Sequence, residues 1–227
     1  MSGDAPVAGL DDSRQPEVAV GPYVTLDGPD GCGKSSQAKA LVEWLTAEGH
    51  DVVHVREPGS TPVGEALREL LLAKETGDLQ PITEVLLFSA ARAELMQRVI
   101  QPARERGQVV VAERCYLSTA VYQILATENP QPGVLDAKWF EDLTRRVHGA
   151  CLPDAVFVLD VPAEVSVQRR GSRVDDRIEA RGEAYHRRVR DGYLLAAARE
   201  PRAQVLDAAQ AFDVVQATLR AAVGRLL

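Results

Sequence analysis

Leu26-Asp27-Gly28-Pro29-Asp30-Gly31-Cys32-Gly33-Lys34-Ser35 is the stretch from which this chain is best read. From Gly28 to Ser35 it matches GxxxxGK[ST] without a gap. A β-type run, Tyr23-Val24-Thr25-Leu26, precedes it, and a helical pattern over 34–48 follows. In that pattern Ala38, Leu41, Val42 and Leu45 recur at helical spacing, and Gly49 closes it. Strand, glycine-rich loop and helix in this order predict a phosphate cradle. The glycines let the backbone curl until successive N–H groups face an anion, and the helix N-terminus adds partial positive charge. Gly28, Pro29, Asp30, Gly31, Cys32, Gly33, Lys34, Ser35 and Ser36 are therefore candidate binding residues for a nucleoside triphosphate. Lys34 would reach its β- and γ-phosphates, and Ser35 would ligate Mg²⁺. Cys32 reads as a small side chain filling a variable position.

Outward from the cradle, strands and helices alternate to the end. Val52-Val53-His54-Val55 predicts a second strand and 62–73 a second helix, with Pro62 in its first turn. The pattern over 81–106 predicts one long helix or two stacked ones, with Pro102 bending it or starting a new segment. Val109-Val110-Val111-Ala112, Ala155-Val156-Phe157-Val158-Leu159 and Gln204-Val205-Leu206 complete a set of five strands, and 212–226 forms the closing helix. The predicted fold class is α/β: a three-layer P-loop NTPase fold with a five-stranded parallel sheet flanked by helices. Ligands belong at the carboxyl ends of its strands. An arginine-rich segment at about 170–180, with Arg169, Arg170, Arg173 and Arg177 near Asp175 and Asp176, predicts a small lid. Residues 1–19 read as a flexible tail and 20–227 as a single domain.

The 227 residues are 45% apolar and 26% charged, with a net charge of -7. That balance argues against a general nucleic-acid binder, which rewards surplus Lys and Arg, yet permits a mononucleotide ligand. No apolar run approaches the roughly 20 residues that span a bilayer, and the N-terminus lacks a secretory apolar region. Three scattered cysteines predict reduced thiols and a cytoplasmic location.

A second set of signals lies after the other strands. Arg56-Glu57-Pro58-Gly59-Ser60-Thr61 follows strand two, and Glu113-Arg114 follows strand three. Phe88 and Arg92 stand one helical turn apart on one face. Each alone reads equally as a solvated arginine or a core phenylalanine. Together they predict an acceptor site beside the cradle. The guanine-reading NKxD segment of GTPases is missing from the sequence.

LDGPDGCGKSSQ, REPGST, LLFSAAR, ERCYLSTAVYQ, VLDVPAE and DRIE, in this order and spacing, resemble the marks of the thymidylate kinase family from about Tyr23 to the C-terminus. The resemblance implies ATP and Mg²⁺, an acceptor such as dTMP, and a homodimer packed through helices. It implies that Phe88 stacks on the base and that Arg92 donates to thymine O4, rejecting the amino group of cytosine. It implies that Arg56 and Arg114 hold the acceptor phosphate, and that Asp30 accepts from the sugar 3′-hydroxyl. Asp30 also reads as a turn-forming residue. Ser118, Thr119 and Gln123 fall where the family lines its base or sugar pocket. Gly31 leaves the loop without a second cation, so the lid would supply one from Arg177 or Arg173. Arg170 would lie near adenine.

This chain departs from the family pattern at three places. Glu113 stands where an Asp is usual, a change that a water layer to Mg²⁺ tolerates. Cys115 replaces an aromatic residue, and Ser60 replaces the commoner Gly. Two other readings stay open on these residues. One is a kinase for another or a modified deoxynucleoside monophosphate. The other is a P-loop binding protein without transferase activity.

Overall fold

The computed structural model describes residues 20–127, 136–170 and 176–227, apart from the side chains of Val167 and Arg170. Five strands form its centre: β1 (Tyr23–Asp27), β2 (Val52–Arg56), β3 (Val109–Glu113), β4 (Ala155–Asp160) and β5 (Ala203–Asp207). They pair in parallel in the order β2-β3-β1-β4-β5. The inner strands are buried along nearly their whole length, whereas edge strand β5 buries only Leu206. Continuous apolar runs are what a sheet covered on both faces requires.

The helices are α1 (Lys34–Ala47), α2 (Pro62–Leu72), α3 (Pro81–Leu95), α4 (Gln101–Glu105), α5 (Tyr116–Thr119), α6 (Ala137–His148), α7 (Ala163–Arg170), α8 (Glu183–Ala197) and α9 (Phe212–Val223). The pattern over 81–106 resolves into α3 and α4, joined by a π-helical turn at Met96–Ile100. Pro102 has no N–H to return to the preceding turn, and the wider turn absorbs that gap.

On one face of the sheet, Leu41 and Leu45 of α1 and Leu219 and Val223 of α9 pack over Val24, Leu26, Val111 and Phe157. On the other, Tyr185, Val189 and Tyr193 of α8 cover Val156 and Val158. Leu95, Met96 and Ile100 cover Tyr23 and Val110. A fully buried leucine contributes about 2 kcal/mol, so these faces carry much of the stability.

The topology also places the site. From central β1 the chain passes to β2 at one edge, while β4 pairs on the opposite side of β1. A crevice forms outside the carboxyl ends at such a reversal. All five strands end there on a charged residue: Arg56, Glu113, Asp27, Asp160 and Asp207. No helix among the described residues is long and apolar enough to cross a membrane.

Candidate active site

The cradle forms as its glycines require. Gly28 has φ 134°, and a Cβ there would lie 2.5 Å from the Leu159 carbonyl oxygen. Gly33 has φ 96° and caps α1 with no side-chain hydrogen bond. The first amides of α1 are thus left for an anion. Lys34 Nζ donates to the carbonyls of Gly28 and Pro29, each at 2.8 Å, and stands 4.0 Å from Asp30.

Ser35 Oγ donates to Glu113 Oε2, and His54 Nε2 lies 3.1 Å from Oε1 of the same carboxylate. Burial alone would raise the Glu113 carboxyl. Hydrogen bonds from His54 and Ser35, with the charge of Lys34, overcome that and hold it below the usual range. A hydroxyl and a carboxylate at the mouth of a phosphate cradle are hard oxygen donors that suit Mg²⁺. No cluster of three or more metal-ligating side chains occurs among the described residues. Mg²⁺ characteristically completes its shell from water and substrate phosphates, which fits this donor set.

One cavity of about 670 Å³ joins the cradle to the acceptor-side residues. Arg56, Phe88, Arg92, Arg114, Ser118 and Gln123, each predicted from the sequence, all line it. Thr61 caps α2 by accepting from the Gly64 N–H at 2.9 Å, which fixes the loop carrying Arg56. Within that loop Glu65 accepts from Arg56 Nη2 at 3.0 Å and from the Ser60 N–H at 2.7 Å. Ser60 takes φ 63°, the left-handed region that glycine occupies at little cost. Its hydroxyl accepts from the Arg56 N–H at 2.8 Å, so the serine offsets part of its strain of about 1 kcal/mol.

Arg92 is buried, with Nε donating to Glu57 at 2.5 Å and Nη2 to Thr119 at 3.0 Å. Its Nη1 has no hydrogen bond among the described residues, which leaves one donor for a ligand in the cavity shared with Phe88. Burial pushes the Glu57 carboxyl up against the opposing pull of Arg92. Arg114 pairs with Asp30, and its guanidinium lies 5.1 Å from the Tyr122 ring centroid. Tyr122 also donates to Asp30 at 2.7 Å. Burial opposes ionisation of Asp30, but Arg114, Lys34 and this hydroxyl hold its carboxyl far below the ordinary range.

The arginine-rich segment holds Arg177 away from the cradle. Arg177 does not line the cavity. It is buried, donates to the Leu71 carbonyl at 2.8 Å and pairs with Glu84 at 2.7 Å. A guanidinium set against a buried carboxylate helps anchor the fold, so Arg177 stands apart from the cavity in which the sequence reading placed it. Arg173 and the Arg170 side chain lie outside the described residues. Arg169 lines the cavity with Ala208, Gln210 and Phe212, and it donates to the Ala208 carbonyl at 2.8 Å.

Other participants escaped the sequence reading. Arg68 lines the cavity and donates to the Pro58 carbonyl at 3.0 Å, yet on α2 it reads as a solvated helix arginine. Tyr122 lies within a recognised motif, but nothing local reveals its partner Asp30. Asp27 and Tyr193 read as a strand end and a core aromatic, and they meet only in the fold.

Comparison with known proteins agrees with this geometry. The thymidylate kinase family model matches residues 26–219. A thymidylate kinase of Symbiobacterium thermophilum is 39% identical over 206 residues, covering 90% of this chain and 94% of that protein. One from Pseudomonas fluorescens is 42% identical over 209 residues, covering 91% and 97%. One from Caulobacter vibrioides is 41% identical over 199 residues, covering 87% and 93%.

Proposed function

The chain belongs to the thymidylate kinase family, and on that premise we propose that it transfers the γ-phosphoryl group of ATP to dTMP, giving dTDP for dTTP synthesis. The observation that carries this reading is the single cavity uniting Lys34 with Arg56, Arg114 and the Phe88–Arg92 pair. Phosphoryl transfer asks little covalent chemistry of a protein. It asks for alignment, neutralised charge and excluded water.

Lys34 donates to two carbonyls and the Cys32 sulfur, all uncharged, and turns to the β- and γ-phosphates when they arrive. Arg56 and Arg114 hold the acceptor phosphate, each guanidinium able to bond two oxygens. Phe88 stacks on the base, and the free donor of Arg92 faces O4. A cytosine amino group there would meet donor with donor. Asp30 takes the sugar 3′-hydroxyl. Arg169, with Ala208 and Phe212, supports the adenine end. Ser35, and Glu113 through water, would hold Mg²⁺, which supplies charge neutralisation at the phosphates. With Arg177 committed to the core, Arg173 is the lid arginine assigned to the migrating phosphoryl group.

We assign the protein to the cytoplasm, because its three cysteines are unbridged. We assign a homodimer, because Val63 and Leu70 of α2 and Leu86 of α3 stand about half exposed. Light scattering on the eluted protein checks this, and a monomeric mass at micromolar concentration removes it.

The decisive experiment supplies ATP-Mg with dTMP, dUMP, dCMP, dGMP or dAMP in turn and follows ADP. The expected result is a preference for dTMP. Equal rates across the set end the thymine assignment, and no ADP with any acceptor ends the transferase reading. Phe88→Ala should raise the acceptor KM roughly tenfold, in line with a stacking contribution of about 1–3 kcal/mol. Its KM for ATP should stay near wild type. An unchanged acceptor KM takes Phe88 out of the site.

A further inference from the structure

Below Arg114 lies a closed set of polar contacts that the proposed reaction does not itself use. Asp27, at the end of β1, is fully buried. Among the described residues no cation pairs with it. Its carboxylate instead gathers three neutral donors: Cys115 Sγ to Oδ2 at 2.9 Å, and Ser118 Oγ and Tyr193 Oη to Oδ1 at 2.5 and 3.3 Å. Ser118 and Tyr193 also touch each other at 2.7 Å. Both then receive Arg114 Nη1, at 3.1 and 3.2 Å.

We propose that Asp27 is a positioning residue that aims Arg114 at the acceptor phosphate by setting the direction of these two hydroxyls. The proposal rests on the dTMP kinase reading. Ser118, 2.5 Å from Asp27, turns its single hydrogen to the acceptor-only carboxylate. Tyr193 turns its own to Ser118 at 2.7 Å or to Asp27 at 3.3 Å, and either way both oxygens keep lone pairs toward the donor-only guanidinium. Without Asp27 the hydroxyls are free to rotate, and their hydrogens then meet the N–H of Arg114.

The pinning matters because Arg114 holds a left-handed backbone, φ 70°, immediately after β3. A residue there has no helix or strand to direct its side chain. The burial of an unpaired acid also requires a reason, since an apolar side chain would fold at lower cost. Cys115 completes the set. Burial and the Asp27 charge push its thiol well up, so it stays protonated and donates. Its sulfur also caps α5 by accepting from the Leu117 N–H at 3.4 Å. The departure from the family's aromatic residue thus supplies a third donor to Asp27.

The test compares Asp27→Ala, Asp27→Asn and Tyr193→Phe by steady-state kinetics and by direct calorimetric titration with dTMP. Asp27→Ala should raise the dTMP KM and Kd about tenfold, as the loss of a charge-assisted hydrogen bond implies, with the ATP KM within about twofold of wild type. Asp27→Asn should recover most of the affinity, because its amide oxygen can face the hydroxyls while its NH₂ faces the sulfur. Tyr193→Phe keeps the ring and removes one oxygen, so it serves where Asp27→Ala fails to fold. It should raise the dTMP KM about threefold. Unchanged dTMP binding in a folded variant overturns the proposal, as does an equal rise in both KM values. A wild type that binds dTMP without turnover sinks the kinase reading alone, and the titrations still decide the role of Asp27. A wild type that does not bind dTMP sinks both.

Discussion

Lys34 in the phosphate cradle and Arg177 beside the arginine-rich segment are buried to nearly the same depth, 8% and 7% exposed, yet they are held in opposite ways. Lys34 donates to two backbone carbonyls and the Cys32 sulfur, while the Asp30 carboxylate stands 4.0 Å away, beyond hydrogen-bond reach. A carbonyl carries no net charge, so a polyphosphate outcompetes it for the ammonium. Arg177 is paired with Glu84, which also receives Arg181 and Gln123. Withdrawing Arg177 would strip a buried carboxylate of part of its compensation, a change the fold resists. The charge of the partner, more than depth or residue type, decides whether a buried cation is available for chemistry. His148 is a third case. Its Nδ1 donates to the Thr144 carbonyl at 3.0 Å and its Nε2 has no hydrogen-bond partner among the described residues. Burial first, then the nearby charge of Arg92, push its pKa down to about 4, so it stays neutral.

The largest effect belongs to Lys34→Ala. Its kcat should fall by about a thousandfold, the scale of losing a preorganised charge at the migrating group, while the melting temperature stays near wild type. Retained turnover would break the comparison at its functional end. Arg177→Met comes next. It should destabilise the fold by about 4 kcal/mol by leaving Glu84 undercompensated, and the surviving folded fraction should keep its kcat. Denaturant unfolding and single-turnover kinetics read these separately. A normal midpoint with lost kcat would return Arg177 to catalysis.

His148 gives the smallest effect and sharpens the rule. An unfolded imidazole takes a proton below about 6.5, whereas the folded one waits until about 4. Falling pH therefore favours the unfolded chain through that window. The stability is whole above 6.5, and up to about 3 kcal/mol has drained by pH 4. Urea unfolding of wild type and His148→Phe at several pH values isolates this share. Parallel curves for the two would show that His148 titrates alike in both states.

The legible parts of the molecule were those written in neighbouring residues. Strand cores such as Val109-Val110-Val111 and the new helical segment around Pro102 follow from local sterics and periodicity. The cradle was legible because one short segment supplies its glycines, lysine and serine. That Phe88 and Arg92 share one cavity was legible because a helical turn is a fixed ruler. Arg68, Tyr122 and the destination of Arg177 were not, since each depends on a partner far along the chain. Arg177 misled most. Four arginines within nine positions read as a solvated or catalytic patch, and composition does not reveal that Glu84 lies beneath one of them.

The chain alone specified the alternation of strands and helices, the phosphate loop and the kinds of side chain set at the strand ends, because these depend on contacts within a few residues. Only the folded chain decided which charge meets which. Asp27 joins Tyr193 across 166 positions, and Arg177 reaches Leu71 across 106. Local propensity carries no information at that range. There the packing of whole elements sets each ionisable group against carbonyl, carboxylate or hydrocarbon, and with that its chemistry.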